Sequence, residues 1–127
     1  MRWLALIALI SALGGCTYEY PVTAFIKDGR LAFRIGGSGR PPHVNRVEVE
    51  QMAKQPITVW QLTTVKTNGS ELREVTYGKT PPSFGQTAPA HPLEIGRVYT
   101  VYVDTTDGGG FGKFAISESG EILQVSN

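Results

Sequence analysis

From residue 21 onward, apolar and polar side chains alternate in short runs, and the runs are punctuated by pairs that favour tight turns. The clearest case lies between Val22 and Ile35. Asp28-Gly29 suits a two-residue type I′ loop, in which both positions need a positive φ. That loop sets Ile26 opposite Leu31, Ala24 opposite Phe33 and Val22 opposite Ile35. All six share one face, while Thr23, Lys27, Arg30 and Arg34 take the other with Phe25 and Ala32. A slip of one residue would carry the whole apolar set into water, so this register is strongly specified.

The same logic predicts a second hairpin around Asn68-Gly69, with Trp60 facing Tyr77, Leu62 facing Val75, and Lys66 beside Glu71 near an exposed tip. A third closes on Ser119-Gly120 and brings Ile116 beside Leu123 and Phe114 beside Val125. Two more strands are expected over Arg46 to Glu50 and Val98 to Asp104, the latter turning Tyr99, Val101 and Val103 inward. Nowhere do apolar residues persist at helical spacing. The pattern predicts an all-β domain over residues 21–127: a β-sandwich of seven or eight short antiparallel strands, with Trp60, Tyr77 and Tyr99 as structural aromatics.

Leu93, Gly96 and Tyr99, followed by Val101 and Val103, resemble the tyrosine corner of fibronectin type III and related immunoglobulin-like domains. The resemblance implies an immunoglobulin-like outline, with the Tyr99 hydroxyl bonded to backbone a few residues upstream.

The first residues follow a different pattern. Arg2 precedes an apolar run from Trp3 to Leu13, which is too short for a bilayer span of about 20 residues. It suits the core of a signal peptide. Leu13-Gly14-Gly15-Cys16 resembles the lipobox of bacterial lipoproteins. That resemblance implies thioether lipidation of Cys16, cleavage before it and acylation of the new amine. Residues 1–15 are then a signal peptide and 16–20 a lipidated tether. Cys16 is the sole cysteine, so an intramolecular disulfide is excluded. In Gram-negative lipoproteins an aspartate after the cysteine often signals inner-membrane retention. Thr17 stands there instead, so the expected location is the outer membrane, facing the periplasm.

Removal of Arg2 leaves 11 basic against 11 acidic side chains, without a basic cluster, which argues against nucleic acid as a partner. Two long segments invite a functional reading: Gly36 to Asn45, with His43, and Gly78 to Pro92, with Phe84, His91 and four prolines. Phe84 is expected either to plug the core rim or to anchor a partner. Two histidines alone make at most half a metal site, and neither a metal nor a cofactor is expected. Gly108-Gly109-Gly110 reads as a mobile connection, with Phe111 beside it as a core or partner contact. The carboxylates are dispersed, so an acid–base pair in a cleft, and hence an enzyme, is not expected. The function expected is a non-catalytic protein-binding or structural module on a lipid anchor. The alternative is an immunity or inhibitor lipoprotein, similar in outline to those that neutralise type VI effectors or lysozymes, with Gly78 to Pro92 as its plug. An envelope hydrolase is the least favoured reading.

Overall fold

The structure is a computed structural model that describes residues 18–126. The signal segment, Cys16 and Thr17 therefore lie outside the described residues. Eleven strands follow one another: β1 Tyr18–Glu19, β2 Val22–Lys27, β3 Arg30–Ile35, β4 His43–Gln51, β5 Ile57–Thr64, β6 Ser70–Glu71, β7 Glu74–Thr76, β8 Phe84–Ala88, β9 Val98–Thr105, β10 Gly108–Ile116 and β11 Ile122–Val125. Three of them (β1, β6 and β8) are short pieces inside stretches that the sequence left as tether, turn or loop.

These strands form an all-β sandwich. A three-stranded sheet in the order β2-β3-β7 packs over an eight-stranded sheet with the central path β1-β10-β9-β4-β5-β8. In immunoglobulin-like sandwiches strands A, B and E share one sheet and G, F and C the other. Here β2-β3-β7 and β10-β9-β4 stand in those places, with β5 added beside β4.

The opening hairpin has the expected register: Val22 faces Ile35, Ala24 faces Phe33 and Ile26 faces Leu31. Asp28 and Gly29 take φ of 52° and 76°, as a type I′ loop requires. On the facing sheet, rows run across the strands at matched heights. Leu62, Val47, Val103 and Gly110 form one row; Trp60, Val49, Val101 and Gly112 form the next. Their larger members are buried, together with Phe33, Ile35, Tyr99 and Phe114. Phe33 lies 5.5 Å from Phe114 and 6.5 Å from Trp60, centroid to centroid, so the aromatics tie the two layers together.

The second hairpin is not formed. β5 lies between β4 and β8, while β7 pairs with β3 in the other sheet. Trp60 and Tyr77 do meet, with rings 5.1 Å apart and edge-on, but across the gap between sheets. An inward apolar face is satisfied equally by a neighbouring strand or by the opposite layer, so alternation alone does not separate the two. Glu71 sits across from His43 of β4, not from Lys66. Gly69 still takes the positive φ of a turn, 75°, and a Cβ there would in addition come within 3.0 Å of the His43 carbonyl carbon.

The third hairpin exists with its register moved by one residue: Ile116 faces Ile122, Ala115 faces Leu123 and Phe114 faces Gln124. A two-residue loop would have set Glu118 against Glu121, a like-charge pair. The chain instead closes three residues, with Gly120 at φ 83° and Ser117 bonded to Glu121 through both its amide and its hydroxyl. Leu123 is consequently half exposed, and the Gln124 amide donates to the Ala24 carbonyl of the other sheet.

The glycine run after Asp107 is a strand, not a mobile connection. Gly108, Gly110 and Gly112 alternate with Gly109 and Phe111 along β10, and the even positions share the side of buried Phe114. A Cβ at Gly108, Gly110 or Gly112 would lie 1.8, 2.0 or 2.2 Å from the carbonyl oxygen of Tyr18, Tyr20 or Val22. The amino-terminal segment crosses from one sheet to the other at Pro21, and only a bare strand lets its backbone pass so close. Tyr18 and Glu19 pair in parallel with Gly108 and Gly109, and the Tyr20 amide donates to Gly109 at 2.9 Å. The last three residues of the expected tether thus belong to the sandwich.

Candidate functional site

One end of the sandwich gathers the charged and polar loops. Several segments converge there: the start of β1, the β3–β4 connection, the start of β4, the β5–β6 turn and the Thr106-Asp107 turn. Backbone bonds hold them. The Thr106 amide donates to the His43 carbonyl at 3.1 Å, and the Leu72 amide to Pro42 at 3.1 Å. Arg73 reaches over and donates to the Gly39 carbonyl, which fixes the glycine-rich loop.

At the centre of this rim His43 Nε2 lies 3.7 Å from Glu71 Oε1, both side chains more than half exposed. The pair separates two shallow depressions. One, of about 370 Å³, is bordered by Tyr20, Arg40, Pro41 and Asp107. The other, of about 510 Å³, is bordered by Lys66, Ser70, Pro81 and Pro82. The Tyr20 hydroxyl donates to the Asp107 carboxylate at 3.0 and 3.1 Å, and Thr105 donates to the same carboxylate at 3.0 Å. Loss of solvent around the Tyr20 phenol, and then the adjacent Asp107 charge, raise its pKa above the usual tyrosine value. Asp107 is thereby held as a fixed acceptor at the rim.

The four residues read as candidate binding residues are not brought together. His43 stands in the rim. His91 lies beside the start of β5, where its amide donates to Val59 at 2.9 Å and its carbonyl accepts the Tyr77 hydroxyl at 2.6 Å. Since β4 and β5 run antiparallel, the two histidines mark opposite ends of the large sheet. Phe84 is not an exposed anchor: it opens β8 and is only 8% exposed, its ring packed in the core. Gly78 to Pro92 is therefore not a free plug, because β8 at its centre is hydrogen-bonded to β5. Phe111 projects from the outer face of β10 beside its cross-strand partner Tyr102, rings 6.3 Å apart and both 38% exposed. With Tyr18 and Glu19 they border a groove of about 350 Å³. Among the described residues no group of three or more His, Cys, Asp or Glu is placed to hold a metal ion.

Of the three aromatics read as structural, Tyr99 and Trp60 lie in the core, and Tyr77 packs against Trp60 across the two sheets rather than along a shared hairpin. Tyr99 is fully buried, and its hydroxyl accepts the Glu94 amide at 2.7 Å, the upstream bond that the tyrosine-corner resemblance implies. Trp60 is fully buried and donates to Gln86 of β8 at 3.1 Å. Tyr77 donates to the His91 carbonyl, and burial pushes its phenol up to about 12. Sequence reasoning passed over Tyr18, Tyr20, Tyr102 and Asp107. The visible signal was the alternation of glycines from Gly108 to Gly112, which marks a strand another backbone must cross.

Comparison of the chain with protein-family models, with curated proteins and with solved structures finds no significant match.

Proposed function

We propose that the chain is a lipid-anchored protein of the bacterial cell envelope, facing the periplasm at the outer membrane, whose sandwich binds a protein partner without catalysis. The observation that supports this reading is the free edge of β8. This strand ends the large sheet and pairs, among the described strands, only with β5. It is held extended between Pro81-Pro82 and Pro89, and Phe84 pins it to the core. The Val65 amide donates to Ser83 at 2.9 Å, so by antiparallel alternation the Gln86 backbone is turned toward the open side. An edge of this kind accepts an extended segment through backbone hydrogen bonds, and the cost of ordering the edge is already met.

The anchor part of the reading rests on the lipobox resemblance. A single acyl chain holds a protein only marginally, whereas the thioether lipid plus an acylated amine supplies the further chains that make attachment stable. Carboxylates on the folded part serve the surface: Glu74 binds Lys27 and Arg34, Asp104 binds Arg46, and Glu94 binds Arg97.

The test places a photoreactive residue at Thr87 on β8 or, as a control, at Glu118 in the β10–β11 turn of the full chain in its envelope. One discrete protein adduct from Thr87, and none from Glu118, is expected. Adducts of equal yield and identity from both positions, or none from either, would remove the edge-binding reading.

A further inference from the structure

The amino-terminal end of the fold is fixed close to the point of attachment. The Tyr18 amide donates to the Asp107 carbonyl at 3.0 Å, and the Tyr20 amide to Gly109 at 2.9 Å. From Tyr18 onward the chain is therefore part of the rim, with no slack. Only Thr17 lies between Cys16 and Tyr18, and two residue steps span at most about 7 Å. The nine residues of β4 start in the rim at His43 and run the length of the sandwich, roughly 30 Å at the usual rise. A leash of that length holds one end of the domain at the headgroup level and keeps the other far from it.

The chemistry of the near end suits such a surface. Val65, at the β5–β6 turn, is 76% exposed, the most exposed large apolar side chain among the described residues. Lys66 follows it, and Arg40 lies across the rim; neither enters an ion pair among the described residues. An apolar tip flanked by unpaired cations gains from partial immersion among headgroups and from attraction to anionic lipid. The far end, with the Asp28-Gly29 and Ser119-Gly120 turns, also exposes apolar Ile26, Met52, Ile57 and Ile95. It holds Arg30 and Lys54 outside any ion pair among the described residues, so the short leash, not surface chemistry alone, selects the near end.

We infer that the rim bearing Tyr18, Arg40, Val65 and Lys66 rests on the lipid headgroup layer of the anchoring membrane, with the sandwich standing on end. This inference rests on the acylation of Cys16 proposed above. It has a consequence for binding: the His43–Glu71 depressions open toward the bilayer, while the β8 edge runs up the side of the standing domain and stays accessible to a partner.

Three lysines report the orientation. Lys66 belongs to the rim, Lys113 to β10 along the side of the sandwich, and Lys54 to the far end. The full chain, expressed in a bacterial host and purified in detergent, is acetylated in micelles and again after reconstitution into vesicles of zwitterionic and anionic phospholipid. Site-by-site acetylation and the amino-terminal peptide are read by mass spectrometry from the same samples. On transfer to vesicles, Lys66 should lose reactivity relative to Lys54 by roughly fivefold, the weight of one basic residue held at an anionic surface. Lys113 should track Lys54. An acylated amino-terminal peptide with Lys66 unprotected, or with Lys113 protected as strongly as Lys66, would overturn the standing orientation and leave the anchor intact. A peptide without acyl groups would overturn the anchor itself, and this inference with it.

Discussion

Replacing Gly110 with alanine tests the account of β10 directly. An ideal Cβ at that position would sit 2.0 Å from the Tyr20 carbonyl oxygen and 3.0 Å from its carbon, both backbone atoms. Carbon and oxygen that are not bonded to each other approach to about 3.3 Å, so the β1–β2 segment must retreat by more than an ångström. That retreat breaks the Tyr20 bond to Gly109 and the neighbouring Tyr18 bond to Asp107. Each is worth about 1 kcal/mol net, and residual overpacking adds roughly 1–3 kcal/mol, for a loss of about 3–5 kcal/mol. In a domain of this size that corresponds to a fall in Tm of about 12–30 °C. Gly37→Ala is the internal control: a Cβ there meets nothing within 4 Å, and its φ is not positive. It should be neutral or stabilising by about 0.4–1 kcal/mol through the unfolded chain. Urea denaturation of residues 17–127, in which Trp60 is the only tryptophan, reads both variants by fluorescence. A Gly110→Ala domain as stable as its parent, or a Gly37→Ala domain that loses as much, would refute the close-crossing explanation.

Two further outcomes follow from the phenols of buried Tyr99 and half-buried Tyr77. Tyr99→Phe keeps the ring that stacks on Phe114 but removes the acceptor of the Glu94 amide, and a loss of about 1 kcal/mol in urea denaturation is expected; no loss would show that this bond does not hold the corner. Burial raises the Tyr77 pKa to about 12 from an unfolded value near 10, so the folded state keeps a proton that the unfolded state releases. The stability this confers is full below pH 10 and is lost as the pH rises through about 12, and Tyr77→Phe should flatten that alkaline decline in a denaturation series.

Local chemistry specified local structure. Asp28-Gly29, with apolar residues at matched distances on both sides, determined a turn, a register and a buried face together, because a hairpin needs only neighbours in the chain. The Leu93–Tyr99 segment likewise carried its own corner, since the bond from Glu94 to Tyr99 spans five residues. All-β architecture and the strands expected over Arg46 to Glu50 and Val98 to Asp104 were legible for the same reason, a period of two in the side chains themselves, whereas the start of β4 from His43 had read as loop. The lipobox resemblance is equally local.

The tertiary structure decided whatever depended on which apolar face meets which. Trp60 and Tyr77 were neighbours in the expected hairpin and are neighbours in the sandwich, yet from opposite sheets. Phe84 read as a loop residue because its partner on β5, Thr64, lies twenty residues back in the chain. The GGGFG run read as slack, because the carbonyls that demand its bareness come from residues 18–22. His43 and His91 fell at opposite ends of one sheet for want of any signal that sets their distance. Burial of an apolar face is non-directional and accepts any partner of suitable shape, so pairings across layers are settled only when the whole core is packed at once.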